Sequence, residues 1–158
     1  MPLDEPGGGK VCEVVPYALM WAYLTLFGWS FAAATILPVG SEPAVVYLVG
    51  QGLPLLAIIA VATLGNYLGA CTTYAIGRGV GHRLDATQHG RGRRAAQMIT
   101  TYGAPALLLS WVPLLGDAIV AAAGVAGTPF GAFSLWTLTG KLARYIAVAY
   151  GARALSVG

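Results

Sequence analysis

Residues 55–77 read LLAIIAVATLGNYLGACTTYAIG and carry no charged side chain. As an α-helix, these roughly 23 residues extend about 34 Å, which is enough to cross a bilayer core about 30 Å thick. The stretch therefore predicts a transmembrane helix. Residues 129–153 have a similar length but contain Lys141 and Arg144, so their hydropathy is weaker and one face of that helix must point away from lipid.

The composition of the whole chain points the same way. Hydrophobic residues make up 57% of the 158 residues and charged residues only 9%, whereas a typical globular domain is about 25% charged. So few polar side chains cannot cover a soluble core. The apolar content excludes intrinsic disorder, and a count of two cysteines excludes a disulfide scaffold. We expect an all-α integral membrane protein.

Charges concentrate in one segment, residues 78–94, which holds five arginines against Asp85. The positive-inside rule predicts that this basic loop is cytoplasmic. The first ten residues lack the basic start and small-residue cleavage site of a signal peptide, and we expect residues 1–13 to form a flexible tail.

Two apolar stretches are too short to span a membrane. Residues 44–52 and 118–127 would extend about 14 Å as helices, roughly half the membrane depth. Each follows a tip rich in proline and glycine, LPVGSEP at 37–43 and VPLLGD at 112–117. We predict that both stretches are the return arms of re-entrant hairpins.

The two halves of the chain align with each other, without gaps, at an offset of 75 residues. The aligned pairs are Thr25 and Thr100, Gly28 and Gly103, Pro38 and Pro113, Glu42 and Asp117, Gly52 and Gly127, Pro54 and Pro129, Gly65 and Gly140, and Arg78 and Arg153. Glycine matches alone would be near chance, but two prolines and an acid in the same register are uncommon in a chain with 9 prolines and 6 acids.

This alignment predicts an inverted repeat within a single membrane domain. The repeats are residues 14–77 and 95–158, joined by the basic loop. Each would contain an interfacial helix, at about 14–27 and 91–103, then a re-entrant hairpin and one transmembrane helix. Such broken helices meet near the membrane midplane in secondary transporters, where they form the binding site.

The hairpin tips hold the first candidate site residues. Pro38 and Pro113 are expected to end the inward arms, because proline lacks an N–H and clashes with the preceding turn. Gly40, Pro43 and Gly116 complete the tips.

The tip acids, Glu42 and Asp117, are predicted N-caps of the return arms. A cap stabilises a helix by about 0.5–2 kcal/mol, whereas a charge at the bilayer centre costs about 2.5–3.5 kcal/mol on insertion scales. Since Ser or Asn would cap without that cost, we expect both acids to act in proton coupling or to pair with a cation, and to meet near the midplane. The alternative is that they only cap.

Lys141 and Arg144 lie three residues apart and therefore share one helical face. Their predicted partners are Glu42, Asp117 or an anionic headgroup, with snorkelling to the interface as the alternative. Asn66 occupies the repeat position equivalent to Lys141; it would hydrogen-bond across helices or serve helix packing alone. We consider Lys141, Arg144, Asn66 and the second-tip residue Ser110 candidate substrate-binding residues.

No pattern of a soluble catalytic centre is visible, since the chain contains neither H-E-x-x-H nor G-x-S-x-G. His82 and His89 lack metal-ligand spacing. We expect no enzymatic activity, no cofactor, no metal and no nucleic-acid partner.

From about Tyr17 to Tyr150 the sequence resembles the DedA family, also called the SNARE-associated or VTT-domain family, and most closely its short YqaA-like subgroup. The residues that carry the resemblance are LPVGSEP (37–43), LGACTTYAIGRGVG (68–81), YGAPALLLSWVPLLGD (102–117), AGVAGTPFGAF (123–133) and GKLARY (140–145). The resemblance implies two facing re-entrant hairpins and a bacterial or archaeal plasma (inner) membrane location. It also implies a flippase or scramblase for phospholipids or polyprenyl phosphate carriers, coupled to protons.

The chain departs from longer members of that family at two places. Their second tip typically reads R-x-x-P-x-x-R, and the aligned positions here are Ser110 and Gly116 around Pro113. They also often carry an acid where this chain has Ala70. We therefore expect Lys141 and Arg144 to replace the missing arginines in binding a lipid phosphate.

Two other functions are consistent with the residues alone, a proton- or cation-coupled permease for a small solute and a membrane scaffold without transport. The expected partners are membrane lipids, protons and further copies of the chain. A homo-oligomer is expected because two spans and two hairpins offer little material to shield polar tips.

Overall fold

The computed structural model describes residues 8–35, 40–80, 97–112 and 115–156, and this part of the chain is helical, without strands. The expected all-α class is confirmed. The α-helices are α1 (Gly8–Ala33), α2 (Glu42–Gly50), α3 (Leu55–Val80), α4 (Leu115–Val125) and α5 (Phe130–Ser156), and residues 97–102 are also α-helical. A helical turn at 97–102 and a 3₁₀ helix, Ala104–Trp111, lie between α3 and α4.

Helix α3 contains the transmembrane span predicted at 55–77. Within the described ranges, Leu55–Gly79 is the one helix long and apolar enough to cross a membrane, with a mean hydropathy of 1.7 over its most apolar 18 residues. α5 is 27 residues long, but Lys141 and Arg144 lower its hydropathy, as expected for 129–153. α3 continues to Val80, so the first residues of the predicted basic loop are helical, and residues 81–94 lie outside the described part.

The two short helices, α2 and α4, end in the same backbone motif. Gly52 and Gly127, which follow them, have φ angles of 75° and 68°, in the left-handed region that glycine adopts without steric cost. Four backbone N–H to O=C bonds around Gly52 recur around Gly127 at an offset of 75 residues. They join Gln51 to Tyr47, Gly52 to Val49, Leu53 to Leu48 and Ile58 to Pro54, and correspondingly Ala126 to Ala122, Gly127 to Gly124, Thr128 to Ala123 and Phe133 to Pro129.

The first half differs from the prediction before its tip. α1 begins at Gly8, so residues 8–13 belong to the helix and not to a tail, and it continues to Ala33 without a break after residue 27. The interfacial helix and the inward arm are therefore one helix of 26 residues. Once a helix is nucleated, each added residue contributes a hydrogen bond, and Gly28 is tolerated within it.

The second half does break at the equivalent position. The helical turn at 97–102 ends at Gly103, whose φ is 66°, and the 3₁₀ helix follows. The physical reason is Pro105, which lacks an N–H and would clash with the preceding turn of a continuous helix. The equivalent residue of the first half is Ser30, which permits α1 to continue.

Close contact between α1 and α3 depends on two glycines of α3, Gly65 and Gly69. A Cβ atom added at Gly65 would lie 2.6 Å from the carbonyl oxygen of Phe27, and one at Gly69 would lie 2.5 Å from that of Phe31. This G-x-x-x-G spacing lets two helix backbones approach, as in membrane helix pairs.

Two apolar clusters form the core, and the long helices contribute to both. The first contains Leu26, Val45, Leu48, Val49, Ile58, Ile59, Ala62, Tyr145 and Ala149. The second contains Ala70, Tyr74, Ile99, Ala106, Leu107, Ile119, Val120, Ala123 and Phe133. α3 therefore starts in the first cluster and ends in the second, whereas α5 does the reverse. α2 packs mainly on α5, and α4 packs mainly on α3 and the 3₁₀ helix.

Candidate functional site

An ion pair joins the start of α2, at the predicted first tip, to α5. The guanidinium of Arg144 donates from Nη2 to Oε1 of Glu42. The Arg144 side chain is 11% exposed and the Glu42 side chain 29% exposed, so the pair is largely shielded but reachable. Of the partners predicted for Arg144, the structure selects Glu42, and an ion pair with Asp117 is not formed.

The N-caps of the short helices differ from the prediction. Ser41 is the N-cap of α2, whereas Glu42 and Pro43 are its first residues. The Ser41 hydroxyl does not cap the helix, because it shares a buried hydrogen bond with the hydroxyl of Tyr145 on α5. Asp117 is the third residue of α4. Both acids therefore lie in a first turn, where the positive end of the helix dipole still favours a carboxylate.

Lys141 lies in the interior between α3 and α5. Its side chain is 1% exposed, and its Nζ donates to Oδ1 of Asn66. The amide nitrogen of Asn66 in turn donates to the backbone oxygen of Ser30 on α1, at 3.1 Å. Of the two roles considered for Asn66, the structure shows the hydrogen bonds across helices, and Lys141 does not snorkel to a surface.

Asp117 has no hydrogen bond or ion pair with any described residue, and its electrostatic partner is Lys141. Glu42 pairs with Arg144, and no hydrogen bond or ion pair joins Glu42 to Asp117. In this structure the two acids interact with two different cations of α5, and their expected meeting near the midplane stays a prediction. Helix rotation, which sets these pairings, is not visible in the residue spacing.

The second tip brings Ser110 and Gly116 together beside α5. A Cβ atom added at Gly116 would lie 2.5 Å from the carbonyl oxygen of Ser110, and one at Gly140 would lie 3.2 Å from the Ser110 hydroxyl. That hydroxyl is buried and has no hydrogen-bond partner within the described residues. Ser110 therefore lies between Gly116, which precedes Asp117, and Gly140, which precedes Lys141.

The remaining tip residues frame the first acid. A Cβ atom added at Gly40 would overlap the Glu42 carboxylate, so this glycine leaves space for the acid to turn toward α5. Pro43 is exposed at the start of α2. Pro38 and Pro113 lie outside the described residues, so the predicted ends of the inward arms are not described.

A groove of about 370 Å³ runs along α5 beside the 3₁₀ helix. Its lining residues are Leu108, Trp111, Gly140, Ala143, Arg144 and Ala147. Arg144 is thus the charged residue of an otherwise apolar lining. Such a groove fits a ligand that combines a hydrocarbon chain with one anionic group, because the guanidinium presents two parallel donors to a carboxylate or phosphate.

Reasoning from the sequence missed Tyr145, Ser41 and the groove wall formed by Leu108 and Trp111. Tyr145 follows Arg144 directly, and Ser41 precedes Glu42. A tyrosine deep within a long helix that already carries two charges was a usable signal, since a buried phenol usually finds a hydrogen-bond partner.

Residues 37–153, roughly three quarters of the chain, match the sequence model of the VTT domain. The chain belongs to the VTT-domain family. A protein of Haemophilus influenzae whose function is uncharacterised is 40% identical over 133 residues, covering 79% of this chain and 83% of that protein. The inner membrane protein YqaA of Escherichia coli is 35% identical over 127 residues, covering 79% and 87%, and YqaA of Shigella flexneri gives the same values. No solved structure matches the chain significantly.

These similarities confirm the resemblance to the DedA family and its YqaA-like subgroup. The protein is a membrane protein of that family. The relatives named YqaA are inner membrane proteins, which supports a bacterial inner membrane as the location of this chain.

Proposed function

We propose that the protein moves an anionic lipid, either a phospholipid or a polyprenyl phosphate carrier, between the two leaflets as a flippase or scramblase. The observation that carries this proposal is the position of Arg144 in the groove beside the 3₁₀ helix. The apolar wall suits a hydrocarbon chain, and the guanidinium suits the phosphate. A headgroup that crosses hydrocarbon needs such a compensating charge on its path.

The proposed framework is an inverted repeat with two re-entrant hairpins. It is supported by the equivalent hydrogen bonds around Gly52 and Gly127. It is also supported by the two long helices, because α3 starts in the first apolar cluster and ends in the second, whereas α5 does the reverse. In this arrangement α3 and α5 cross the membrane and the tips before α2 and α4 lie near its midplane.

We propose that Glu42 couples transport to protons. The Glu42 carboxylate and a lipid phosphate both need Arg144, and two anions beside one cation repel each other. When the phosphate binds, Glu42 therefore leaves Arg144 and takes up a proton. On release of the lipid, the proton leaves and the ion pair closes again.

Lys141 was expected to bind the lipid phosphate together with Arg144, but it has a different role in the proposed transport cycle. Because it is bonded to Asn66 and sealed from the groove, Arg144 alone meets the headgroup at the surface. The homo-oligomer stays a prediction; a single chain already encloses Lys141 and Asn66, so their shielding does not require a second copy.

A liposome assay tests the proposal. Purified protein is reconstituted with a fluorescent phospholipid and, separately, with a fluorescent polyprenyl phosphate analogue, and movement between leaflets is followed by quenching from outside. We expect translocation of at least one of the two. Solute or cation flux without lipid movement would replace the proposal with the permease, and a folded protein that moves neither would leave a scaffold.

A further inference from the structure

The bonding of Lys141 is incomplete. A lysine ammonium carries three N–H donors, and within the described residues Lys141 makes one hydrogen bond, to the neutral oxygen of Asn66. A buried charge is stable only when it is paired and its donors are used. The surroundings of Lys141 must therefore offer a further acceptor.

Two groups can supply that acceptor, the Asp117 carboxylate and the Ser110 hydroxyl. Asp117 interacts electrostatically with Lys141 but has no bonded partner among the described residues. The Ser110 hydroxyl, also without a partner, lies beside Gly140 and its backbone carbonyl lies beside Gly116. Ser110 thus neighbours the residue before Lys141 and the residue before Asp117, and a hydroxyl can accept from an ammonium and donate to a carboxylate.

The two pairs of an acid and a cation differ in whether they are bonded in this structure. Glu42 and Arg144 are joined, whereas Asp117 and Lys141 are apart and Lys141 is held by Asn66. Asn66 on α3 accepts from Lys141 in this structure, and the Asp117 carboxylate on α4 can compete for the same ammonium. A side chain with two discrete partners on elements that can shift relative to each other is a bistable element.

We propose that Lys141 is a two-position switch that leaves Asn66 for Asp117, by way of Ser110, during the transport cycle. In the second position α4 moves toward α5, and the hydrogen bond from Lys141 to Asn66, which joins α5 to α3, is released. The two halves of the chain can then shift relative to each other. Lys141 is then a positioning residue for transport and does not contact the lipid. The role of this switch in transport rests on the proposed function, whereas the two positions of Lys141 can be tested without it.

The test uses a favourable feature of the sequence, which contains two lysines, Lys10 and Lys141. In a Lys10→Arg protein labelled with ¹³C at the lysine ε-carbon, solid-state NMR in bilayers observes Lys141 alone. We expect two Lys141 signals in the wild-type background. Asp117→Asn should leave only the signal of the Asn66-bound position, and Asn66→Leu should leave only the other.

Control variants separate a switch from a fixed structural bond. Asp117→Glu keeps a carboxylate and should retain both signals, whereas Lys141→Met should fold, because replacing a buried charge by an apolar side chain of similar length is often neutral for stability. A single Lys141 signal that Asp117→Asn does not change would overturn the proposal, as would two signals that both persist in Asn66→Leu.

Transport measurements connect the switch to function. Asp117→Asn and Asn66→Leu should each lower lipid translocation by about tenfold or more, since each removes one bond to a charged group and so biases the two positions. Asp117→Glu should restore transport. Unimpaired transport in both single-position variants would overturn the role, whereas two responsive Lys141 signals in a protein that moves no lipid would refute the proposed function and leave the switch intact.

Discussion

Asn66 and Lys141 are hydrogen-bonded to each other and are 75 residues apart, which makes them equivalent positions in the two aligned halves. Residues related by a two-fold axis contact each other only where the axis passes between them. The bond therefore places the axis of the proposed repeat between α3 and α5. One turn further along α5, Arg144 pairs with Glu42 and lines the groove.

The first prediction concerns the Glu42 and Arg144 ion pair. Arg144→Gln should lower the free energy of unfolding by about 1–3 kcal/mol, between the values for exposed and buried pairs, because it leaves Glu42 without its counter-ion. Glu42→Gln in the same protein should recover part of this loss, since the unpaired charge is then gone. Thermal unfolding in detergent measures both variants.

Neither Arg144→Gln nor the double substitution with Glu42→Gln should support lipid transport, because both proteins lack the guanidinium in the groove. Arg144→Lys should fold and retain some transport, since it keeps the charge but loses the two-pronged hydrogen bond. If the double substitution is as unstable as Arg144→Gln, the ion pair does not have the role assigned to it.

The second prediction concerns lipid in the groove. Trp111 forms part of the groove wall and is 53% exposed. Trp111→Ala should decrease the amount of anionic lipid that copurifies with the protein, measured by native mass spectrometry in mild detergent. Trp29→Ala is a matched control, since Trp29 is 46% exposed on α1 and lies outside the groove. An equal loss of lipid in both variants would show that the groove does not select its ligand.

The third prediction concerns helix packing. Gly69→Ala should destabilise the protein by about 1–3 kcal/mol, because its Cβ would lie 2.5 Å from the carbonyl oxygen of Phe31 and push α1 away from α3. Gly28→Ala should be neutral or stabilising, since nothing lies within 4 Å of an added Cβ there and alanine favours a helix. Similar melting temperatures for the two variants would contradict the close contact of α1 and α3.

The fourth prediction concerns topology. Cysteines placed at Gly8 and Gly90, in a protein whose Cys12 and Cys71 are replaced, should be labelled from opposite sides of the membrane, because each half crosses it once. The arginine-rich loop should be cytoplasmic and both chain ends outside. Labelling of Gly8 and Gly90 from the same side would refute the inverted repeat.

The sequence predicted the features that are set by local chemistry. The apolar stretch at 55–77 became α3, and the two short helices were found near their expected places. Their glycines, Gly52 and Gly127, take the left-handed conformation that ends a helix. These elements depend on length, hydropathy and the conformational preferences of single residues, all of which can be read along the chain.

The pairing of the charged residues could not be predicted in the same way. Glu42, Arg144, Asn66 and Lys141 were all predicted as candidate site residues, but the sequence does not show which of them bond to each other. The partners depend on the rotation of α5 relative to α2 and α3, and packing in the two apolar clusters sets that rotation. Similarly, Pro105 explains why the second half breaks where α1 continues, yet the alignment at an offset of 75 residues suggested that both halves behave alike.

The proposed function depends on Arg144, which would bind the phosphate of the transported lipid. Its most direct test is the translocation rate of a phosphate-bearing lipid in liposomes, compared between Arg144→Gln and Arg153→Gln, which removes the same charge from the last turn of α5. We predict that Arg144→Gln slows translocation by about tenfold or more and that Arg153→Gln stays within about twofold of the wild type. Equal rates for the two variants, with both proteins folded, would show that Arg144 does not bind the phosphate of the transported lipid.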